Sequence, residues 1–123
     1  MTATLLRVGT SSVVGPRWGL ARVKGESMTP TLVPGDRVLI DHRREPRVGD
    51  LVTARFADGT LVVKRVSAAV DVRGEPGWFL RSDNPDAPNA LDSRHRGPVR
   101  SGAVIGVVRA RIWPRPRRFG SGV

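Results

Sequence analysis

Fourteen glycines and ten prolines divide this 123-residue chain into short runs rich in Val, Ile, Leu and Thr. Branched side chains suit a pleated, half-buried surface, whereas glycine and proline end regular elements. The runs therefore read as strands: Gly19–Val23, Arg37–Asp41, Leu51–Phe56, Thr60–Val70, Trp78–Arg81 and Val104–Trp113. The Ala57-Asp58-Gly59 turn joins two of them into a hairpin. Gly35-Asp36 and Gly49-Asp50 each lead into a strand as turn signals. No window keeps apolar residues at helical spacing, and Pro30 with Pro34 limits any helix after Ser27 to a single turn. Ser82 to Arg100 is a polar loop with three prolines, long enough to imply a task. The expected fold is all-β, one compact domain of coiled antiparallel sheets over residues 18–113. A flexible N-terminal arm, 1–17, precedes it and a basic flexible tail, 114–123, follows it.

Composition excludes several kinds of chemistry. Without cysteine there are no disulfides, thiolate metal sites or thiol nucleophiles. Two histidines supply no ligand cluster, so neither a metal nor a cofactor is expected. No apolar run approaches the roughly 20 residues of a membrane-spanning helix, and the N-terminus lacks the apolar centre of a secretory signal. A cytoplasmic location is expected. Trp18 and Trp113 beside arginines leave peripheral contact with the inner face of a membrane open. The net charge of +10 attracts nucleic acid, anionic lipid or acidic protein segments. Aromatic residues do not alternate with the basic ones as in a base-stacking platform, so no specific nucleic acid is expected.

The chemistry concentrates in Gly25-Glu26-Ser27-Met28-Thr29-Pro30-Thr31-Leu32 and Val62-Val63-Lys64-Arg65-Val66. A serine hydroxyl attacks a carbonyl well only when a neighbouring base removes its proton. Lysine can be that base once desolvation lowers its pKa from about 10.4. On a strand, Val62, Lys64 and Val66 share one face, so Lys64 lies between two valines while Arg65 points away. Gly25 permits a tight turn, and a backbone N–H at or beside Ser27 could bind the oxyanion of a tetrahedral intermediate. Taken singly, Ser27 also fits an ordinary turn serine and Lys64 a strand-edge lysine that discourages aggregation.

Ser27-Met28-Thr29-Pro30-Thr31-Leu32 resembles the catalytic-serine motif of type I signal peptidases. Gly35-Asp36-Arg37-Val38-Leu39-Ile40 resembles the strand that follows it, and Gly49-Asp50-Leu51-Val52 with Val62-Val63-Lys64-Arg65-Val66 the lysine-bearing segments. Ser82-Asp83-Asn84-Pro85 and Asp92-Ser93-Arg94 resemble the late Gly-Asp-Asn and Asp-Ser-Arg motif. The resemblance implies a serine endopeptidase with Ser27 as nucleophile and Lys64 as general base. It implies that Asp92 and Arg94 brace the site, and that Val23, Met28, Leu32 and Val63 line shallow pockets for small substrate side chains. Two departures stand out: Ala90 where the family often has a lysine-orienting serine, and Ser82 for the usual glycine. Asn89 is an alternative residue to orient the lysine. Lacking an anchor before the serine, the chain looks most like the proteases that mature nickel-type superoxide dismutase. The implied partner is a precursor protein with an extended leader peptide.

Rival readings use the same residues differently. A His42- or His95-based triad is less favoured, with His42 expected in an exposed turn and His95 in a loop. Self-cleaving repressor proteases share the dyad and a related fold, but usually add a DNA-binding domain for which there is no room before Gly19. A non-catalytic alternative is a basic β-module on a degenerate protease scaffold, binding anionic lipid or nucleic acid.

Overall fold

A computed structural model describes the backbone of residues 2–6 and all atoms of residues 17–88 and 90–120. The described chain forms nine strands: β1 (Thr2–Leu6), β2 (Trp18–Lys24), β3 (Arg37–Asp41), β4 (Leu51–Arg55), β5 (Leu61–Val72), β6 (Glu75–Arg81), β7 (Val99–Arg100), β8 (Val104–Trp113) and β9 (Arg117–Arg118). The one α-helix among the described residues is the four-residue α1, Ser93–Arg96. None of the described helices is long and apolar enough to cross a membrane.

All pairings are antiparallel, in the order β1-β2-β3-β8-β4-β5-β6-β7, with β9 added to β8. β1 also meets β5, where Thr2 lies opposite Val62. β1, β2, β3, β8, β4 and β5 therefore close into a ring through the Thr2–Val62 pair, while β7 and β9 remain edge strands. The all-β fold expected from the punctuation is the fold observed.

Strand alternation divides the core into two clusters. Leu51, Val63 and Val108 join one, while their neighbours Val52, Val62 and Val107 join the other. Successive side chains point to opposite faces, so the clusters lie on the two sides of the same sheet. The first gathers residues from β2, β3, β4, β5 and β8, with Met28 and Leu32 from the serine loop. The second joins the opposite face of β4, β5 and β8 to Leu80 of β6 and Val99 of β7. That second face carries Lys64.

Several boundaries differ from expectation. Thr2–Leu6 is a strand, not part of a loose arm; residues 7–16 of that arm lie outside the described residues. The tail is partly anchored: β9 pairs with β8, and Phe119 packs on the first cluster while its N–H donates to the Arg109 carbonyl at 2.8 Å. β5 and β6 extend through Val72 and Glu75, past Pro76 and Gly77, around Arg73 and Gly74 at φ 53° and 86°. Two successive left-handed residues match the right-handed twist of a hairpin, and Pro76 falls near its tip.

Gly106 shows how close the β3–β8 packing is. A Cβ there would lie 2.5 Å from Ile40 Cγ2 and 2.9 Å from the Asp41 carbonyl oxygen. Gly106→Ala is expected to lower stability by roughly 1–3 kcal/mol, as overpacking of a close contact does. The measurement is urea unfolding: the midpoint should fall while the slope stays constant.

Candidate active site

Lys24 ends β2, and Gly25 turns the chain at φ 75° to begin the serine loop. The Leu32 N–H donates to the Met28 carbonyl at 2.9 Å, the single helical turn that Pro30 and Pro34 permit. The buried Met28 and Leu32 side chains anchor this turn in the first core cluster. The Asp36 carboxylate accepts from the Val33 N–H at 2.9 Å, and Arg111 reaches both Thr31 O and Asp36. The loop is thereby held on the end of the ring, with Ser27 fixed in it.

Lys64 rises from the middle of β5, flanked on its face by the buried Val62 and Val66. Its Nζ lies 2.9 Å from Ser27 Oγ and 2.9 Å from Ser82 Oγ. Ser27 and Lys64 have 0% exposure. Burial pushes the lysine pKa below its ordinary value; the Asp92 carboxylate pulls it back up, and the Arg94 guanidinium opposes that pull. The net direction is downward, toward the neutral amine that can accept a proton.

Behind the lysine stands a chain of polar contacts. Asp92 Oδ2 accepts from the Ser82 N–H at 2.8 Å. Asp92 Oδ1 accepts from the Arg94 N–H and from Arg94 Nε, both at 3.0 Å, while capping α1. Burial alone would raise the Asp92 carboxyl, but these hydrogen bonds and the Arg94 charge outweigh it and hold it low. The Ser93 hydroxyl accepts from the Leu80 N–H at 2.8 Å and ties α1 to β6.

The next two residues clamp the serine loop. Asp83 accepts two hydrogen bonds from the Arg65 guanidinium, each 2.8 Å, and one from Thr31 Oγ1 at 2.7 Å. The Asn84 N–H donates to the Ser27 carbonyl at 2.7 Å, and its side chain donates to Thr29 Oγ1 at 2.9 Å. Arg65 thus leaves the lysine face, as strand parity requires, and works from the other side. Among the described residues the Ser27 N–H meets no acceptor, consistent with an oxyanion donor.

Ser27, Lys64, Gly25, Asp92 and Arg94 are therefore brought together. Val23, Met28, Leu32 and Val63, expected as pocket walls, are buried in this structure, each at most 1% exposed. Sequence reasoning missed Ser82 as the lysine's second partner. The signal was present as two departures read separately: a hydroxyl gained at Ser82 and one absent at Ala90. Ala90 contributes only its carbonyl, 3.5 Å from Ser82 Oγ; Asn89 lies outside the described residues. His95 stays in the α1 cap, while His42, expected exposed, is half-buried against Gly19 and bonds Ile105 O at 3.0 Å. Neither histidine bonds Ser27 or Lys64 among the described contacts. No metal-binding cluster occurs among the described residues.

An all-β domain that buries a lysine amine against a loop serine belongs, by fold and site, with the Ser/Lys-type proteases. A family model described as Peptidase S24-like matches residues 6–108, and the chain belongs to that family. It is 36% identical over 89 residues to a LexA repressor of Verrucomicrobium spinosum, covering 72% of this chain and 40% of the relative. It is likewise 36% identical over 92 residues to LexA repressor 1 of Pseudomonas syringae pv. tomato, covering 73% and 43%. The chain thus spans about two fifths of the length of these curated relatives. The Ser/Lys protease fold expected from the motifs holds, under a family name other than signal peptidase.

The clamp carries a pH signature. Burial alone would raise the Asp83 carboxyl, but Arg65 and Thr31 hold it below the usual range. A lowered carboxylate pKa adds stability above the unfolded value, about 3.9, and loses it as pH falls through the folded value. Asp83→Asn should cost roughly 1–3 kcal/mol at pH 7, as loss of charge-assisted hydrogen bonds does. Urea unfolding of both proteins from pH 7 to pH 2 should show that difference shrinking at the acid end.

Proposed function

We propose that this chain is a serine endopeptidase in which Ser27 is the nucleophile and Lys64 the general base, acting on an extended segment of a protein. The observation that carries this reading is the 2.9 Å contact between Lys64 Nζ and Ser27 Oγ, both fully buried. Neutral Lys64 accepts the Ser27 proton as Oγ attacks the substrate carbonyl carbon. The oxyanion is received by the Ser27 N–H. The protonated lysine then returns its proton to the leaving amine, and the same amine activates the water that hydrolyses the acyl-enzyme. Ser82 is a positioning residue: by accepting an N–H from Lys64, it turns the amine lone pair toward Ser27.

The substrate in this reading is the leader of a soluble precursor in the cytoplasm, with nickel superoxide dismutase precursor as the specific candidate. The Ser82-Asp83-Asn84-Pro85 and Gly97-Pro98-Val99 segments support it. The substrate side chains would be received by Val23, Met28, Leu32 and Val63 once these are uncovered. The relatives' repressor names favour a second substrate, a segment of the same polypeptide. A module that only binds anionic lipid or nucleic acid would have no use for a buried amine aimed at a serine, so the catalytic reading is preferred.

Cleavage of a leader-bearing precursor tests the reading. Ser27→Ala and Lys64→Ala should each lower the rate by about 10³-fold or more. Ser82→Ala should lower it by roughly 10²-fold, the scale of a misplaced catalytic group. The rate should rise with pH along a single limb centred below the ordinary lysine value near 10.4. Equal rates for the wild type and the two dyad variants would overturn it. Self-cleavage would show itself as a rate independent of protein concentration.

A further inference from the structure

A nucleophile with no exposed surface cannot meet a peptide bond from outside, so some element must move before Ser27 works. The backbone pairing identifies that element. β1 lies between β2, which leads into the serine loop, and β5, which carries Lys64. Thr2 is opposite both Lys24 and Val62, three residues before Ser27 and two before Lys64. Remove β1 and the ring opens at one seam, between the two strands that hold the dyad.

We propose that this seam is the substrate slot, and that Thr2–Leu6 is its resident occupant, a strand that an incoming extended peptide replaces. The inference rests on the dyad reading for its meaning. The partner it specifies is a peptide in β conformation, recognised through main-chain hydrogen bonds to the opened edge of β2 and to β5 beside Val62. Strand addition of this kind takes affinity from the backbone and selectivity from pockets beneath alternate side chains. The attachment is asymmetric, five residue pairs to β2 against one to β5, so the seam parts first along β5. The occupant is covalently linked and so acts at an effective concentration of about millimolar, which sets the affinity a competing peptide must overcome.

The chain has no cysteine, so a single engineered disulfide can lock β1 in place. Thr4 and Arg22 are directly opposite in the pairing register, and such pairs lie about 4.5–5.5 Å apart, within disulfide reach. The probe is a fluorescein-labelled peptide of this chain's residues 1–8. Its binding is read by polarisation on full-length T4C/R22C carrying S27A, which separates the slot from catalysis. Reduced protein should bind the peptide at least about tenfold more tightly than oxidised protein. In a separate full-length S27A protein, Thr4→Pro with Leu5→Pro removes a strand donor in each register and should tighten binding further. Equal binding by the oxidised and reduced forms overturns the proposal, whatever the folding of the proline variant. Failure of the dyad reading would appear elsewhere, as cleavage surviving in Ser27→Ala, and would leave this binding result intact.

Discussion

The structure depends on keeping the Lys64 amine out of water. A lysine costs more to bury than any apolar residue of its length, because its charged form loses hydration that few partners can replace. Among the described residues the partners are two serine hydroxyls, Ser27 and Ser82, each 2.9 Å from Nζ. No carboxylate bonds directly to it among the described contacts. Direct contact with a carboxylate would hold the lysine charged and useless as a base. Neutral hydroxyls let it give up its proton, and Asp92 is kept one residue removed, holding the Ser82 N–H instead.

That separation explains the layout of the 82–94 segment. Ser82 faces the lysine, Asp83 faces Arg65 and Thr31, and Asn84 faces the serine loop. Three consecutive residues thus fix the base, the strand beside it and the nucleophile's carbonyl. Arginine has a structural part in this arrangement: Arg65, Arg94 and Arg111 each bind a carboxylate around the site. The net charge of +10 already counts these carboxylates, so it is the excess of basic side chains beyond such pairs.

Much of this was legible in the chain because two periodicities carried it. Alternation placed Val62, Lys64 and Val66 on one face, and the second core cluster has the two valines there. Glycine and proline marked most strand ends, and Arg37–Asp41 and Val104–Trp113 have the expected bounds. What escaped was non-local. Thr2–Leu6 has little alternation of its own and is a strand because β2 and β5 leave a gap for it. Ser82 escaped because its role depends on a loop that returns from Asp92, ten residues later, and spacing alone does not show such a return.

The closed ring also reconciles two demands that conflict in an open cleft. Catalysis needs a peptide beside Ser27, whereas the depressed lysine pKa needs water excluded. A vacant slot would hydrate Nζ, stabilise the ammonium and disarm the base. Exchange of one strand for another meets both demands, since the incoming backbone restores the pairing that β1 gives up and closes the seam again. In the proposed exchange the amine is shielded in the resting protein and as the peptide binds, and water reaches it only to hydrolyse the acyl-enzyme. Under that proposal the nucleophile is presented only when something of peptide shape fills the gap. On the proposed reading, specificity for extended chains would follow from the same solvation requirement that makes Lys64 a base.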